Sequence, residues 1–326
     1  MLALFRTNQV AAAVFLLLYA LLLQLPTFFV PAAFMPQWYG EVPAAVNDLD
    51  RWASANPITG RVIAVFLVVL QAIIANALVA RHRMARSLTQ LPGLVVVLAW
   101  ALVPAFRQLD TTQPANVCWL LSLLSLAGVY NRNDSSVTLF NAGFWLGVAS
   151  LFVPAYLLLI VVLVIGVGSI QRLTVRSTLQ VLTGAGVAYF LTYVYHYWYY
   201  DGDWLFRHLG QFGVYALPPL PDHGWPGLVA LAVLLLTAVA AYGPVVRLLN
   251  IEGKKQINIL LWALLMAVPV VLLSAGAGWP ALQTLVPPLG ILLGLRLTQI
   301  EAARAEFFHL VIWTVALTQV LWWLLE

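Results

Sequence analysis

The sequence predicts an all-α fold, a polytopic bundle of transmembrane helices, and three observations carry that prediction. Of 326 residues, 63% are hydrophobic and only 9% are charged. The mean hydropathy is +0.92. The apolar residues also gather in long runs broken by charge, proline and glycine, at the roughly 20-residue length that a bilayer core demands of a helix. A soluble domain carries charge on roughly a quarter of its residues, so this chain could not cover a water-facing surface, whereas lipid requires no such cover.

The first apolar run occupies 10–30 behind a single arginine, Arg6. A cleavable leader would have a shorter core and a small-residue cleavage site. Leu25-Pro26-Thr27-Phe28-Phe29 supplies neither, so the run is expected to stay as a first span. Further spans are expected at 61–80, 91–106, 115–130, 138–152, 155–170, 178–198, 226–246, 257–275, 281–296 and 307–325, which makes about eleven in one transmembrane domain covering 1–326. The stretch from Thr138 to Ile170 is too long for one span and short for two. Pro154 near its middle predicts a hairpin of short legs with both ends on one side of the membrane.

Lys and Arg mark cytoplasmic loops. With the N-terminus inside, the inner loops hold Arg6, Arg81, Arg83, Arg86, Arg132, Arg172, Arg176, Arg247, Lys254, Lys255, Arg296 and Arg304, twelve of the sixteen basic residues. Arg51, Arg61, Arg107 and Arg207 fall outside. The expected topology is therefore N-in and C-out. The net charge of +4 is spread over several turns with no single basic stripe, which argues against nucleic acid as a partner. The basic turn Arg81-His82-Arg83-Met84-Ala85-Arg86 suits anionic headgroups of membrane lipid.

Chemistry must come from few places. No phosphate-binding glycine loop, C-x-x-C, H-E-x-x-H or G-x-S-x-G is present. The mid-span polar groups, such as Gln24, Gln71, Asn76 and Gln283, are neutral and suit interhelical hydrogen bonding, so an ion-driven pump is not expected. Cys118 has no partner for a disulfide and reads as a small buried residue. His309 reads as interfacial.

Two long outer loops hold most of the external carboxylates. In the first, 31–60, residues Ala44 to Ala55 can form an interfacial helix with Val46, Leu49 and Trp52 on one face and Asp48 and Arg51 turned away. Glu41, Asp48 and Asp50 are its candidate catalytic carboxylates. The second, 201–224, follows the aromatic run Tyr193 to Tyr200. Its Trp204, Leu205, Phe206 and Phe212 are too apolar for a free coil and predict a partly helical cap. Asp201, Asp203 and His208 offer oxygen and nitrogen ligands for a divalent cation, magnesium or manganese.

The hairpin segment Phe140-Asn141-Ala142-Gly143-Phe144-Trp145-Leu146-Gly147-Val148-Ala149-Ser150-Leu151-Phe152-Val153-Pro154, followed by Arg172 and Arg176, resembles the small-residue-rich hairpin of the GT-C superfamily of membrane glycosyltransferases. The first outer loop is similar to the one in which that superfamily keeps its catalytic acid. Together with Gln71-Ala72, Asn76, Arg81-His82 and Leu91-Pro92, the same stretch is also similar to an uncharacterised family of bacterial inner-membrane proteins. The GT-C resemblance implies sugar transfer from a polyprenyl-phosphate donor at the outer leaflet. Glu41 or Asp48 would be the base, and Arg51, Arg61 and Arg207 would hold the phosphate. Two other classes fit the composition: a non-enzymatic scaffold or complex subunit with a membrane-protein partner, and a transporter of small molecules or lipids that uses the hairpin at Pro154 and the Pro287-Pro288-Leu289-Gly290 stretch as helix breaks.

Overall fold

The computed structural model describes residues 2–6, 10–29, 43–107, 109–130, 134–200, 202–213, 225–274 and 278–325. Helices are α1 (Leu2–Phe5), α2 (Val10–Gln24), α3 (Ala44–Ala55), α4 (Pro57–Arg81), α5 (Leu91–Ala101), α6 (Thr112–Ala127) and α7 (Ser136–Phe152). They continue as α8 (Ile160–Ile170), α9 (Val175–Tyr199), α10 (Trp204–Leu209), α11 (Trp225–Arg247), α12 (Ile251–Leu273), α13 (Val286–Gln299) and α14 (Ala302–Leu325). Each expected span has its helix. Among the described residues four helical stretches, Pro57–Arg81, Trp225–Arg247, Ile251–Leu273 and Trp279–Gln299, are long and apolar enough to cross a membrane by length and composition.

Burial follows the logic of a lipid-solvated protein. The short helix α5 is buried along its whole length, and α13 packs against it with Val286 to Leu295 buried in an unbroken run. Around this pair the outer helices keep large apolar residues exposed, among them Leu18 and Leu22 on α2, Phe190 on α9 and Leu236 on α11. In water such surfaces would cost roughly 25 cal/mol per Å²; in a bilayer they meet acyl chains.

The hairpin forms as its composition implies. After Phe152 the chain turns extended at Val153, passes through a 3-10 turn at Pro154–Leu159 and enters α8. The Ser135 hydroxyl donates to Gln171 Oε1 at 3.3 Å, so the two ends of the hairpin meet on one side. The small residues of α7 let α9 come close. A methyl at Gly147 would lie 2.8 Å from the Ala185 carbonyl, and one at Gly143 or Gly184 would strike the backbone of Val181 or Phe140. Thr174 and Ser177 close the start of α9 with a reciprocal capping box.

Several 3-10 turns tune the helix ends, at Leu25–Phe29, Pro104–Arg107 and Trp279–Leu285 besides the hairpin turn. Pro287 and Pro288 do not break a helix. They occupy the first turn of α13, where the missing N–H has no partner to lose, and the irregular segment lies ahead of them at Trp279–Leu285.

The N-terminal end of the bundle is tied by backbone and charge. The Leu2 amide donates to Glu306 at 2.9 Å, the Arg6 guanidinium to the carbonyls of Leu297 and Ile300, and the Gln90 amide to the Phe5 carbonyl at 2.8 Å. His309 is buried inside the bundle, 1% exposed, with Tyr19 Oη 3.1 Å from its Nε2. Cys118 is buried on α6, as expected.

Candidate functional site

At the opposite end of the bundle, α3 and α10, the helices of the two long loops, both meet the end of α9. The interfacial helix α3 spans the expected residues and attaches through buried Ala53, beside Gly60 of α4, while Trp52 faces outward at 46% exposure. Trp52 thus points away from the protein, as an interfacial helix resting its apolar face in lipid requires. At its N-terminus the Ala44 amide, one of the first-turn donors that a helix leaves unpaired, donates to His196 Nε2 at 3.2 Å. His196 is buried in the last turns of α9 and accepts at this nitrogen, which fixes its tautomer with the proton on Nδ1.

His196 also begins a ring column. It stacks on Trp204 at 4.5 Å between centroids, and Trp204 stacks on His208 at 5.0 Å. His208 is fully buried, 3.1 Å from the Ser150 carbonyl near the tip of the α7 hairpin leg. The cap expected from the apolar second loop is therefore α10, held between α9 and α7. Phe212 then pairs by a single backbone bridge with Ser274 at the end of α12.

The predicted site residues distribute unevenly over this junction. Asp48 and Arg51 lie one turn apart on α3, both exposed. The Tyr200 phenol is pushed up, first by its hydrogen bond with Tyr195 and last by the charge of Asp48, which sets Asp48 within electrostatic reach of the end of α9. Arg61 is buried at 7% in the second turn of α4. Arg207 is exposed on α10, and exposed Asp203 stands immediately before that helix. Asp50 belongs to α3. Glu41, Asp201, Asp222 and His223 lie outside the described residues. Among the described residues no three His, Cys, Asp or Glu side chains gather as a metal site, and His208 turns one ring nitrogen to Ser150.

A second polar cluster escaped the reading of the sequence. Asp110, on the turn between α5 and α6, is 6% exposed and accepts from the amides of Thr112 and Gln113 at 2.8 and 3.0 Å and from the Gln283 side chain at 2.8 Å. Burial nevertheless pushes its carboxyl up to about 7. Beyond it, Asn116 donates to the Gln283 carbonyl and accepts from the Tyr156 hydroxyl at 2.7 Å, and Tyr156 reaches Thr284 at 3.0 Å. Arg107, 1% exposed, binds the carbonyls of Ala101 and Ala316, and its own carbonyl receives the Gln24 amide at 2.6 Å. Counted along the chain, Arg107 and Asp110 are external loop charges. The available signal was their position in a short turn bounded by Pro104 and Pro114, too tight to expose both.

Helix order, hairpin and apolar helices define an all-α, membrane-type helical fold. Among solved structures the chain is similar to ArnT from Cupriavidus metallidurans, in a crystal structure bound to undecaprenyl phosphate. The match has a TM-score of 0.52 and 15% identity and covers 77% of this chain and 48% of that one. The likeness is one of fold, and this chain matches about half the length of that structure. Comparison with family models and with curated proteins returned no match.

Proposed function

We propose that this protein is a membrane glycosyltransferase of GT-C type that takes its sugar from a polyprenyl-phosphate donor at the outer leaflet of a bacterial inner membrane. What supports this reading is the end of the bundle where α3, which carries Asp48 and Arg51, and α10, which carries Arg207, both meet α9 beside the His196–Trp204 ring pair. The solved neighbour was bound to undecaprenyl phosphate, a ligand of the proposed class.

In the reaction, a carboxylate removes the proton of an acceptor hydroxyl as its oxygen attacks the anomeric carbon, and the bond from that carbon to the phosphate oxygen breaks. The polyprenyl phosphate leaves with the electron pair. Asp48, Glu41 and Asp50 are the candidate bases. Guanidinium groups from Arg51, Arg61 and Arg207 would neutralise the leaving phosphate, for which the planar fork of arginine is well matched.

The transporter reading draws no support from the helix interruptions. Tyr156 of one and Gln283 and Thr284 of the other are buried and hydrogen-bonded to each other's surroundings through Asn116 and Asp110. The reading is tested by binding and turnover measured separately. Native mass spectrometry of the purified protein with undecaprenyl phosphate should show a retained lipid, weakened roughly tenfold by R51Q/R207Q. D48N should keep the lipid and lose transfer from a polyprenyl-phosphate sugar by a factor of about 100 or more. A protein that retains no lipid phosphate, but purifies with another membrane protein, is a scaffold or complex subunit instead.

A further inference from the structure

The end of the bundle remote from α3 and α10 carries a cavity of about 410 Å³, within the range of small-ligand sites. It lies between the turn after α4 and the turn 248–250 that joins α11 to α12, and Val79 and Leu249 form part of its apolar wall. Arg83, Arg86, Ser87 and Asn250 supply its polar groups, and no carboxylate among the described residues lines it. The nearby Glu252 is turned toward His82, at 3.7 Å. Neither Arg83 nor Arg86 has a hydrogen bond or ion pair among the described residues, and both are exposed.

The backbone gives Arg83 an unusual setting. The Met84 amide donates to the Val79 carbonyl at 3.1 Å, five residues back, closing α4 with a Schellman turn whose left-handed position is Arg83, at φ 49°. Glycine is the usual occupant there, since a Cβ is disfavoured in that region. Here the position carries a long cation instead, at the mouth of a cavity. Leu88 and Leu248, 56% and 43% exposed, complete the lining with apolar surface.

We propose that this cavity binds the phosphate headgroup of an anionic phospholipid, with Arg83 and Arg86 on the phosphate and the upper acyl chain along Leu88 and Leu248. The two guanidinium groups recognise a phosphate oxygen pair, Ser87 and the Asn250 amide can donate to the remaining oxygens, and the exposed leucines select an amphiphile over a soluble ion. The site is independent of the outer-end reading and survives its failure.

Delipidated protein in neutral detergent tests it by thermal unfolding with added phosphatidylglycerol, phosphatidylcholine or inorganic phosphate. Phosphatidylglycerol should raise the midpoint of the wild type and of R172Q, an exposed arginine away from the cavity. R83N/R86Q should weaken its apparent affinity roughly tenfold or more, and asparagine is chosen because it tolerates the left-handed backbone. Phosphatidylcholine should have little effect. If the double variant fails gel filtration, R86Q should lose the response and R86K retain it. An equal response in wild type and charge-removed variants overturns the site. Inorganic phosphate alone matching phosphatidylglycerol overturns the lipid in favour of a soluble phosphate compound.

Discussion

Asp110 shows how a single residue can be misplaced by reading along a chain. Sequence position counts it among the external loop acids, yet the turn between α5 and α6 draws it under the 3-10 segment Trp279–Leu285, where Gln283 donates to it. Burial is a property of the fold, and along the chain only the shortness of the turn between Pro104 and Pro114 hints at it. Its titration gives a prediction. The folded carboxyl is raised to about 7, above an unfolded value near 3.9, so the native state binds the proton more readily. The stability this group contributes is full below about pH 4 and is lost as the pH rises through about 7, at roughly 1 kcal/mol per pH unit. Thermal unfolding in detergent between pH 5 and pH 8 should therefore show the wild type falling relative to D110N. Parallel profiles would mean that Asp110 stays ionised throughout. His196 was legible only as one member of an aromatic run. Its separate role, accepting the first amide of α3, depends on a contact across 152 positions of chain.

At the scale of elements the sequence was far more informative, because the bilayer converts length and hydropathy into helices with little freedom left. The bounds of α3 followed from alternating apolar and charged positions around Asp48 and Arg51. The hairpin followed from Pro154 and a run too long for one span. Less legible were the 3-10 ends, since these adjust the last turn to tertiary contacts that periodicity does not encode. The α7–α9 pair rests on small residues at its contact, and Gly184 is its tightest test. A valine there would meet the Phe140 carbonyl and the Phe144 amide, and separating the helices should cost about 1–3 kcal/mol or more. The variant should unfold several degrees lower, whereas Gly186→Ala, with nothing within 4 Å of the added methyl, should be nearly neutral. Equal effects at the two positions would remove the close approach from the account.

For the whole molecule, the architecture divides labour between two ends. One ties the N-terminus to α13 and α14 and carries the arginine-lined cavity; the other joins α3, α9 and α10 over the buried polar turns. Composition excluded a water-soluble fold, and the helix arrangement is similar to that of the ArnT structure over 77% of this chain. Which end meets substrate is a matter of side chains meeting across the fold, such as His196 with Ala44 and His208 with Ser150, and this no hydropathy pattern contains. The claim that the α3–α10 end receives a polyprenyl phosphate is tested most directly by cryo-electron microscopy of the protein in nanodiscs supplied with undecaprenyl phosphate. The account predicts phosphate density at that end, within reach of Arg51 or Arg207, with the prenyl chain running into the bilayer. Density confined to the Arg83 and Arg86 cavity, or none at the α3–α10 junction at saturating lipid, would contradict it.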